Sequence, residues 1–453
     1  MGIPPSARLF RACSMAAFRK GSLGMCNSRY SMRQGVGIDF GTTNSAVAVA
    51  RGNEVEIARF GGPENSVDTF RSVLYFDQKG RRRPLAGRAA IEQYLGDEER
   101  GRLIQSVKSF LGSRVFSHTS IGHRRYTLEN LIAFIIRACR AECEEQLGSL
   151  GTHVVVGRPV RFVGAESKAD EAFALGRLQK AFTDAGFREI EFEFEPVGAA
   201  YHYESTLDHD ETILIADFGG GTSDFSILRV GPGVRRKGRE SRDLLATAGV
   251  PLAGDVFDAK IIRNLISPLL GLGTFYCSME KTLPVPKSMF MKLERWHHLS
   301  FLKTGETMQT LRSISAQALE PEKIEKLIDL VEDDLGFYLH RSVQRAKFEL
   351  SSREQTIFEF DHAGLHIRHP VNRVDFEGWI AGELEQIRKA VDEALHRAAL
   401  KSGQIDCVFL TGGSSLVPAV RRIFDERFTP ERVSAGDEFT SVARGLALRA
   451  AEA

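Results

Sequence analysis

Short apolar runs ending at glycine or proline recur along this chain, and they alternate with longer stretches whose apolar positions return every three or four residues. Gly35-Val36-Gly37-Ile38 and Ser45-Ala46-Val47-Ala48-Val49 flank the segment Asp39-Phe40-Gly41-Thr42-Thr43-Asn44. Far downstream, Thr212-Ile213-Leu214-Ile215-Ala216 and Phe225-Ser226-Ile227-Leu228 flank Asp217-Phe218-Gly219-Gly220-Gly221-Thr222-Ser223-Asp224. Each set predicts a strand, a glycine-rich turn and a second strand. Between them the pattern predicts a helix over 128–146, a strand over 153–157 ending at Arg158-Pro159, a helix over 168–185 and a strand over 190–194 leading into Glu195-Pro196. After the second turn a helical region begins in Leu252-Ala253-Gly254-Asp255-Val256-Phe257-Asp258, and periodicity then weakens over 268–308 around Pro284 and Pro286, predicting an irregular insertion. The stretch 322–351 is predicted to be helical again, followed by a strand over 406–410 that turns at Thr411-Gly412-Gly413-Ser414-Ser415 into a further helix. Strands followed by alternating strands and helices predict an α/β fold with a mixed sheet.

The two turns carry the candidate chemistry. Glycines accept positive φ and carry no Cβ, so successive backbone N–H groups can approach phosphate oxygens closely. Thr42, Thr43 and Thr222 add hydroxyl donors at the same edge. Asp39 and Asp217, at the ends of their strands, suit a hard cation held through its water shell, with magnesium offsetting phosphate charge. One such turn is most often an ordinary hairpin; two copies, each headed by aspartate, predict two similar lobes closing on one nucleotide. The glycine turn at Gly412 suits close backbone approach to a ligand, here the nucleoside.

At 453 residues the chain exceeds one compact core, and about two to three domains are expected. A formal net charge of +1 gives no footprint for nucleic acid or an anionic membrane. No apolar run has the length of a membrane span, so a soluble protein is expected. The six cysteines show no disulfide or metal spacing and fit a reducing, cytoplasmic setting. Cys139 and Cys143 share a helical face, which favours packing over redox or metal chemistry. Residues 1–34 hold Arg8, Arg11, Arg19, Lys20, Arg29 and Arg33 without Asp or Glu. They are expected to be a disordered extension or an upstream stretch, with the true start at Met25 or Met32; the alternative is a transit peptide and an organellar matrix.

Five ordered motifs resemble the nucleotide-binding domain of the DnaK-type chaperones, the heat shock protein 70 family within the actin and hexokinase superfamily. They are Ile38-Asp39-Phe40-Gly41-Thr42-Thr43-Asn44-Ser45, the lysine segment Lys108-Ser109-Phe110-Leu111-Gly112 with Glu195-Pro196, the second glycine turn, Arg345-Ala346-Lys347-Phe348-Glu349-Leu350-Ser351-Ser352, and Leu410-Thr411-Gly412-Gly413-Ser414. The resemblance implies an actin-like ATPase fold of two ribonuclease-H-like lobes around a nucleotide cleft, one over 35–210 and the other over 211–453 with an insertion around 265–320. It implies a catalytic set of Lys108, Glu195, Asp217 and Thr222. ATP or ADP would contact Gly41, Thr42, Thr43, Asn44, Gly219, Gly220, Gly221, Thr222, Lys347, Ser351, Gly412, Gly413 and Ser414. Magnesium would sit near Asp39, Asp217 and Glu195 through water. Lys347 and Ser351 lie four apart and share a helical face, as a common ligand requires.

Departures from the family pattern bear on function. Gln344 stands where the chaperones usually have Glu, and Leu416 where a cation commonly lies near adenine, so weaker adenine affinity is expected. No interdomain linker or peptide-binding sandwich is expected after the last motif, so client refolding is not expected to carry over, and the short form is most similar to the YegD-type chaperone-like proteins. The leading expectation is a slowly hydrolysing, ATP-dependent switch read by an unidentified protein partner or co-chaperone. A small-molecule kinase of the same superfamily, an actin-like filament and a nucleotide sensor without hydrolysis remain alternatives.

Overall fold

The computed structural model describes residues 34–52, 54–61, 66–77, 83–96, 101–204, 207–236, 244–294, 302–435 and 440–452. The expectation for the basic N-terminal segment therefore lies outside the described residues, apart from Gln34. The first half of the chain supplies strands β1 (Gln34–Phe40), β2 (Asn44–Arg51), β3 (Glu54–Ile57), β4 (Phe70–Arg71), β5 (His153–Arg158) and β6 (Glu189–Phe194), with helices α1 (Leu128–Leu147), α2 (Lys168–Asp184) and α3 (Glu195–Glu204). The second half supplies β7 (Glu211–Phe218), β8 (Ser223–Val230), β9 (Leu244–Val250), β10 (Cys407–Thr411) and β11 (Val433–Ala435). Its principal helices are α4 (Gly254–Ile261), α5 (Gly336–Ser352), α6 (Ala381–Arg397), α7 (Pro418–Phe428) and α8 (Ser441–Glu452). Among the described residues no helix is long and apolar enough to cross a membrane.

The two main sheets repeat one topology. Strand order is β6-β5-β1-β2-β3 in the first, with β4 on β2, and β11-β10-β7-β8-β9 in the second. In each, a hairpin (β1–β2, β7–β8) extends on its other side through parallel strands (β1–β5–β6, β7–β10–β11). This is the α/β, actin-like architecture of two ribonuclease-H-like lobes. β1 and β7 read as near-continuous apolar runs because they are central and covered on both faces. Phe40 and Phe218 close their cores from below the turns, at 1% exposure each.

Two helices fill the space between the sheets. α3 lays Val197, Ala200 and Tyr201 on Ile213, Ile215, Leu228 and Val230 of the second sheet. α8, last in the chain, packs instead on the first sheet, with Ala443 and Ala447 against Ala46, Ala48 and Ala50. A Cβ on Gly35 or Gly37 would lie 2.3 Å from the backbone of Ala447, so the helix can seat only on a strand without side chains there. The range 211–453 therefore does not describe the packing of its last helix, because α8 returns to the first lobe.

Other departures are local. The stretch expected to be helical over 322–351 is divided into two helices, Pro321–Glu332 and α5, separated where Asp334 takes φ 52°. The stretch expected to be irregular contains a hairpin, Phe275–Ser278 with Lys281–Pro284, and the short helix Lys287–Met291. Its two-residue turn, Met279-Glu280, holds φ of 45° and 62°, a geometry usually announced by Asn-Gly. Cys139 and Cys143 are buried in α1, in line with packing.

α1 begins at a capping box: Thr127 accepts from the Asn130 amide at 3.3 Å, and the Asn130 side chain accepts from the Thr127 amide at 3.1 Å. Thr127→Ala is expected to cost about 1 kcal/mol of stability, read as a lower urea midpoint at unchanged slope.

Candidate functional site

Both glycine turns open onto one cavity of about 430 Å³, and every residue singled out from the sequence as a site residue lines it. In the first turn a Cβ on Gly41 would sit 2.0 Å from the Asn44 carbonyl oxygen, so only glycine fits. The Thr43 carbonyl accepts from the Ser72 amide at 2.9 Å, and the Asn44 side chain accepts from Arg71 Nη1 at 3.0 Å. In the second turn the Gly219 amide closes the loop on the Thr222 carbonyl at 2.9 Å, while the Gly220 carbonyl accepts from the Asp255 amide at 2.8 Å. Gly221 faces open space. The turns approach each other across the cleft: a Cβ on Gly220 would lie 2.9 Å from Thr43 Oγ1.

Lys108 projects from a 3-10 turn, Val107–Phe110. Buried Arg177 of α2 anchors this segment by donating to the carbonyls of Phe110, Ser113 and Phe116, and it pairs with Glu129 at 2.6 Å. Glu195 sits where β6 passes into α3, and its Oε1 accepts from Lys108 Nζ at 2.7 Å, with only 10% and 13% of the two side chains exposed. Burial alone would lower the ammonium's pKa; Glu195, Asp39 and Asp217 outweigh it and keep Lys108 charged.

The surrounding carboxyls are pushed the other way. Burial, then the Glu195 charge, lifts Asp39 from 3.8 to about 7 and Asp217 to about 6. A hydrogen bond from Thr411 Oγ1 at 2.9 Å opposes part of the rise at Asp217. Asp224 stands directly opposite Asp217 across the β7–β8 ladder, and burial plus that neighbour lift it to about 7 while Thr222 Oγ1 donates to it at 3.0 Å. Buried carboxylates thus outnumber the one buried ammonium among them.

The other end of the cavity is built by α4, α5 and the turn after β10. Gly412 takes φ 81°, and a Cβ there would lie 2.1 Å from the Phe218 carbonyl oxygen, so the turn is pinned against the end of β7. Lys347 Nζ pairs with buried Asp258 at 2.6 Å and donates to the Gly254 carbonyl at 3.2 Å. Gln344 Nε2 donates to the other Asp258 oxygen at 3.4 Å, and Ser351 donates to the Lys347 carbonyl at 3.2 Å. Gly413 opens a 3-10 turn that carries Ser414, Ser415 and Leu416.

The family model described as Hsp70 protein matches residues 35–269 and 313–452. The chain belongs to the Hsp70 family. It is 28% identical over 435 residues to the chaperone protein DnaK of Thermosipho africanus (strain TCF52B), covering 92% of this chain and 58% of that protein. It is 27% identical over 435 residues to the chaperone protein DnaK of Thermosipho melanesiensis, covering 92% and 59%. The chain thus spans under two thirds of the length of these relatives. The Hsp70 match is interrupted between 269 and 313, where the hairpin Phe275–Ser278 and Lys281–Pro284 lies.

Three residues of the site carried no role in the sequence expectations: Asp224, Asp258 and Arg71. The signals present were Asp224 two places after Thr222, which aligns it on one strand face with Thr222, and the Asp255–Asp258 spacing at a helix start. Nothing local marks Arg71, which reaches Asn44 only through strand pairing.

The Asp224 shift has a stability consequence. A carboxyl whose pKa is raised by folding stabilises the folded state below its ordinary value, 3.8, and that contribution is lost as pH rises through about 7. Asp224→Asn keeps an acceptor for Thr222 and carries no charge. The unliganded variant is expected to exceed the wild type in urea resistance at pH 8 and to match it near pH 4. A variant weaker than wild type at pH 8 would show that the carboxylate is stabilised by a cation instead.

Proposed function

We propose that this chain binds Mg-ATP between its lobes, hydrolyses it slowly, and passes the resulting change of lobe angle to a protein partner or co-chaperone. The observation that carries this reading is the convergence on one cavity of two glycine turns, one from each sheet, with the Lys108–Glu195 pair between them and the Gly412 turn at the far end. Glycine amides and the Thr42, Thr43 and Thr222 hydroxyls suit phosphate oxygens, and Lys108 supplies a fixed positive charge at the same place. Phosphoanhydride hydrolysis needs alignment and charge neutralisation more than covalent help.

The residues also fit a cation. Asp39, Asp217 and Glu195 present hard oxygen donors around one ammonium, and their excess negative charge calls for compensation. No three His, Cys, Asp or Glu side chains among the described residues converge closely enough to hold an ion directly, so water and phosphate oxygens would complete its shell. Bound there, magnesium would offset phosphate charge. Asp217, ionised above about pH 6, would orient an attacking water with Glu195. Lys108 orients Glu195 in turn and bears on the phosphate. Lys347, Ser351, Gly412, Gly413 and Ser414 are assigned to the nucleoside, and unpaired Cys139 and Cys143 suit a reducing, cytoplasmic compartment.

Single-turnover phosphate release from bound Mg-ATP tests the proposal. Slow release without any added acceptor supports the ATPase. ADP formation only with a sugar or polyol points to the kinase, and tight binding without release to a sensor.

A further inference from the structure

Among the described residues, the enclosed cations around the cavity are paired with carboxylates, save one. Lys108 pairs with Glu195, Lys347 with Asp258, and Arg177, behind the Lys108 turn, with Glu129. Arg71 of β4 lines the same cavity and is partly buried, yet its Nη1 donates only to the neutral side chain of Asn44, at 3.0 Å, and no described Asp or Glu pairs with it. What bears on it instead is another cation: burial, then the charge of Arg341 on α5, lowers the Arg71 pKa. A small void lined by Arg71 and Thr43 on one side and by Phe337 of α5 on the other sets this residue where the two lobes meet. A guanidinium carries five N–H donors, and taking it from water without an anion is costly.

The backbone brings Arg71 and Lys108 to the same place. Arg71 is paired with Asn44 across β4 and β2, one residue past Thr43 in the first glycine turn. The next strand, Val73–Phe76, runs antiparallel to Arg102–Gln105, with Val73 opposite Gln105. Arg71 comes shortly before that pair and Lys108 shortly after it, so both leave the ladder at one end and line the cavity there. Resting on the nucleotide-binding reading above, we propose that Arg71 is a second polyphosphate-binding cation, donating its remaining N–H groups to phosphate oxygens while Asn44 holds the guanidinium in place. The planar fork of a guanidinium matches phosphate geometry. Bound phosphate supplies the anion that the protein leaves out, and it offsets the repulsion between Arg71 of the first lobe and Arg341 of the second.

Calorimetric titration of the full chain with ADP and with inorganic tripolyphosphate, in the wild type, Arg71→Gln, Arg71→Lys and Asn44→Ala, tests this. Arg71→Gln is expected to weaken both ligands by about ten- to 150-fold, the scale of losing a hydrogen bond to a charged group. Arg71→Lys is expected to recover part of that loss, since it keeps the charge without the fork. Asn44→Ala keeps the guanidinium and removes only its anchor, so a smaller loss is expected. Urea unfolding without ligand separates binding from support: Arg71→Gln is expected to match or exceed the wild type, because it removes a cation that has no carboxylate and meets the field of Arg341. Unchanged affinity of Arg71→Gln for both ligands overturns the inference and leaves the nucleotide reading standing. So does a loss no larger than that of Asn44→Ala, or a urea midpoint below the wild type's, either of which would make Arg71 a prop for the turn. Failure of the wild type to bind ADP overturns the two together.

Discussion

Lys108→Ala is expected to slow phosphate release from bound Mg-ATP by about 10²- to 10³-fold, the usual scale for removing one preorganised charge from a reacting centre. The ammonium lies 2.7 Å from Glu195 in a setting where both side chains are about nine-tenths buried, so its field is little screened by water. Without it, Asp39 and Asp217 lose the positive charge that holds their pKa values down against burial. More of that cluster is then protonated near neutral pH, and water has fewer carboxylates to be oriented by. Nucleotide affinity is expected to change far less, because the two glycine turns and the Gly412 turn are untouched. Rapid-quench single turnovers beside calorimetric binding separate the two effects. An unchanged release rate would remove Lys108 from the catalytic set. A variant that no longer binds would instead show that the ammonium's main work is to hold the phosphates.

The legibility of the site in the sequence follows from how local its parts are. Each glycine turn is a contiguous strand, turn and strand, so its residues, bounds and chemistry stand next to one another in the chain. Two copies betray the repeated sheet topology. Lys108, Glu195 and Lys347 lie on separate elements, and only the ordered resemblance joined them to the turns. Roles that depend on partners far away in sequence stayed hidden. Asp258 is known by Lys347, and Arg71 by Asn44 across a two-residue strand. Apolar periodicity over 322–351 does not reveal the break between its two helices because it continues in phase across Asp333-Asp334, where a positive φ at Asp334 turns the backbone. The Met279-Glu280 turn lacks glycine, so the hairpin in the insertion had no signal. The return of α8 to the first sheet is a long-range contact, though Gly35, Gly37 and the alanines of β2 are its trace, a strand face kept small for something to lie on.

That same economy of side chains sets the largest expected stability effect. α3 and α8 cross between the sheets, and a Cβ on Gly445 would fall 1.8 Å from the Gly198 carbonyl oxygen and 2.9 Å from Tyr201 Cβ. No rotamer relieves a backbone clash, so the helices must part. Gly445→Ala is expected to cost about 3 kcal/mol or more, at or beyond the upper end for overpacked cores. Gly176→Ala makes the opposite test in α2, where nothing lies within 4 Å of the added carbon. There, alanine only restricts the unfolded chain and favours the helix, so a gain of about 0.5–1 kcal/mol is expected. Urea unfolding of both variants checks the signs. Equal effects would mean that helix propensity, and not the crossing, governs these glycines. The crossing also bears on function, since α3 rests on the second sheet and α8 on the first. Any change of lobe angle has to be absorbed where they touch. Two glycines in contact leave no side chains to interlock there, and the proposed change of lobe angle would use that contact. On the proposed switch, a folded Gly445 variant is expected to give the same scattering profile with ATP as with ADP while still binding both.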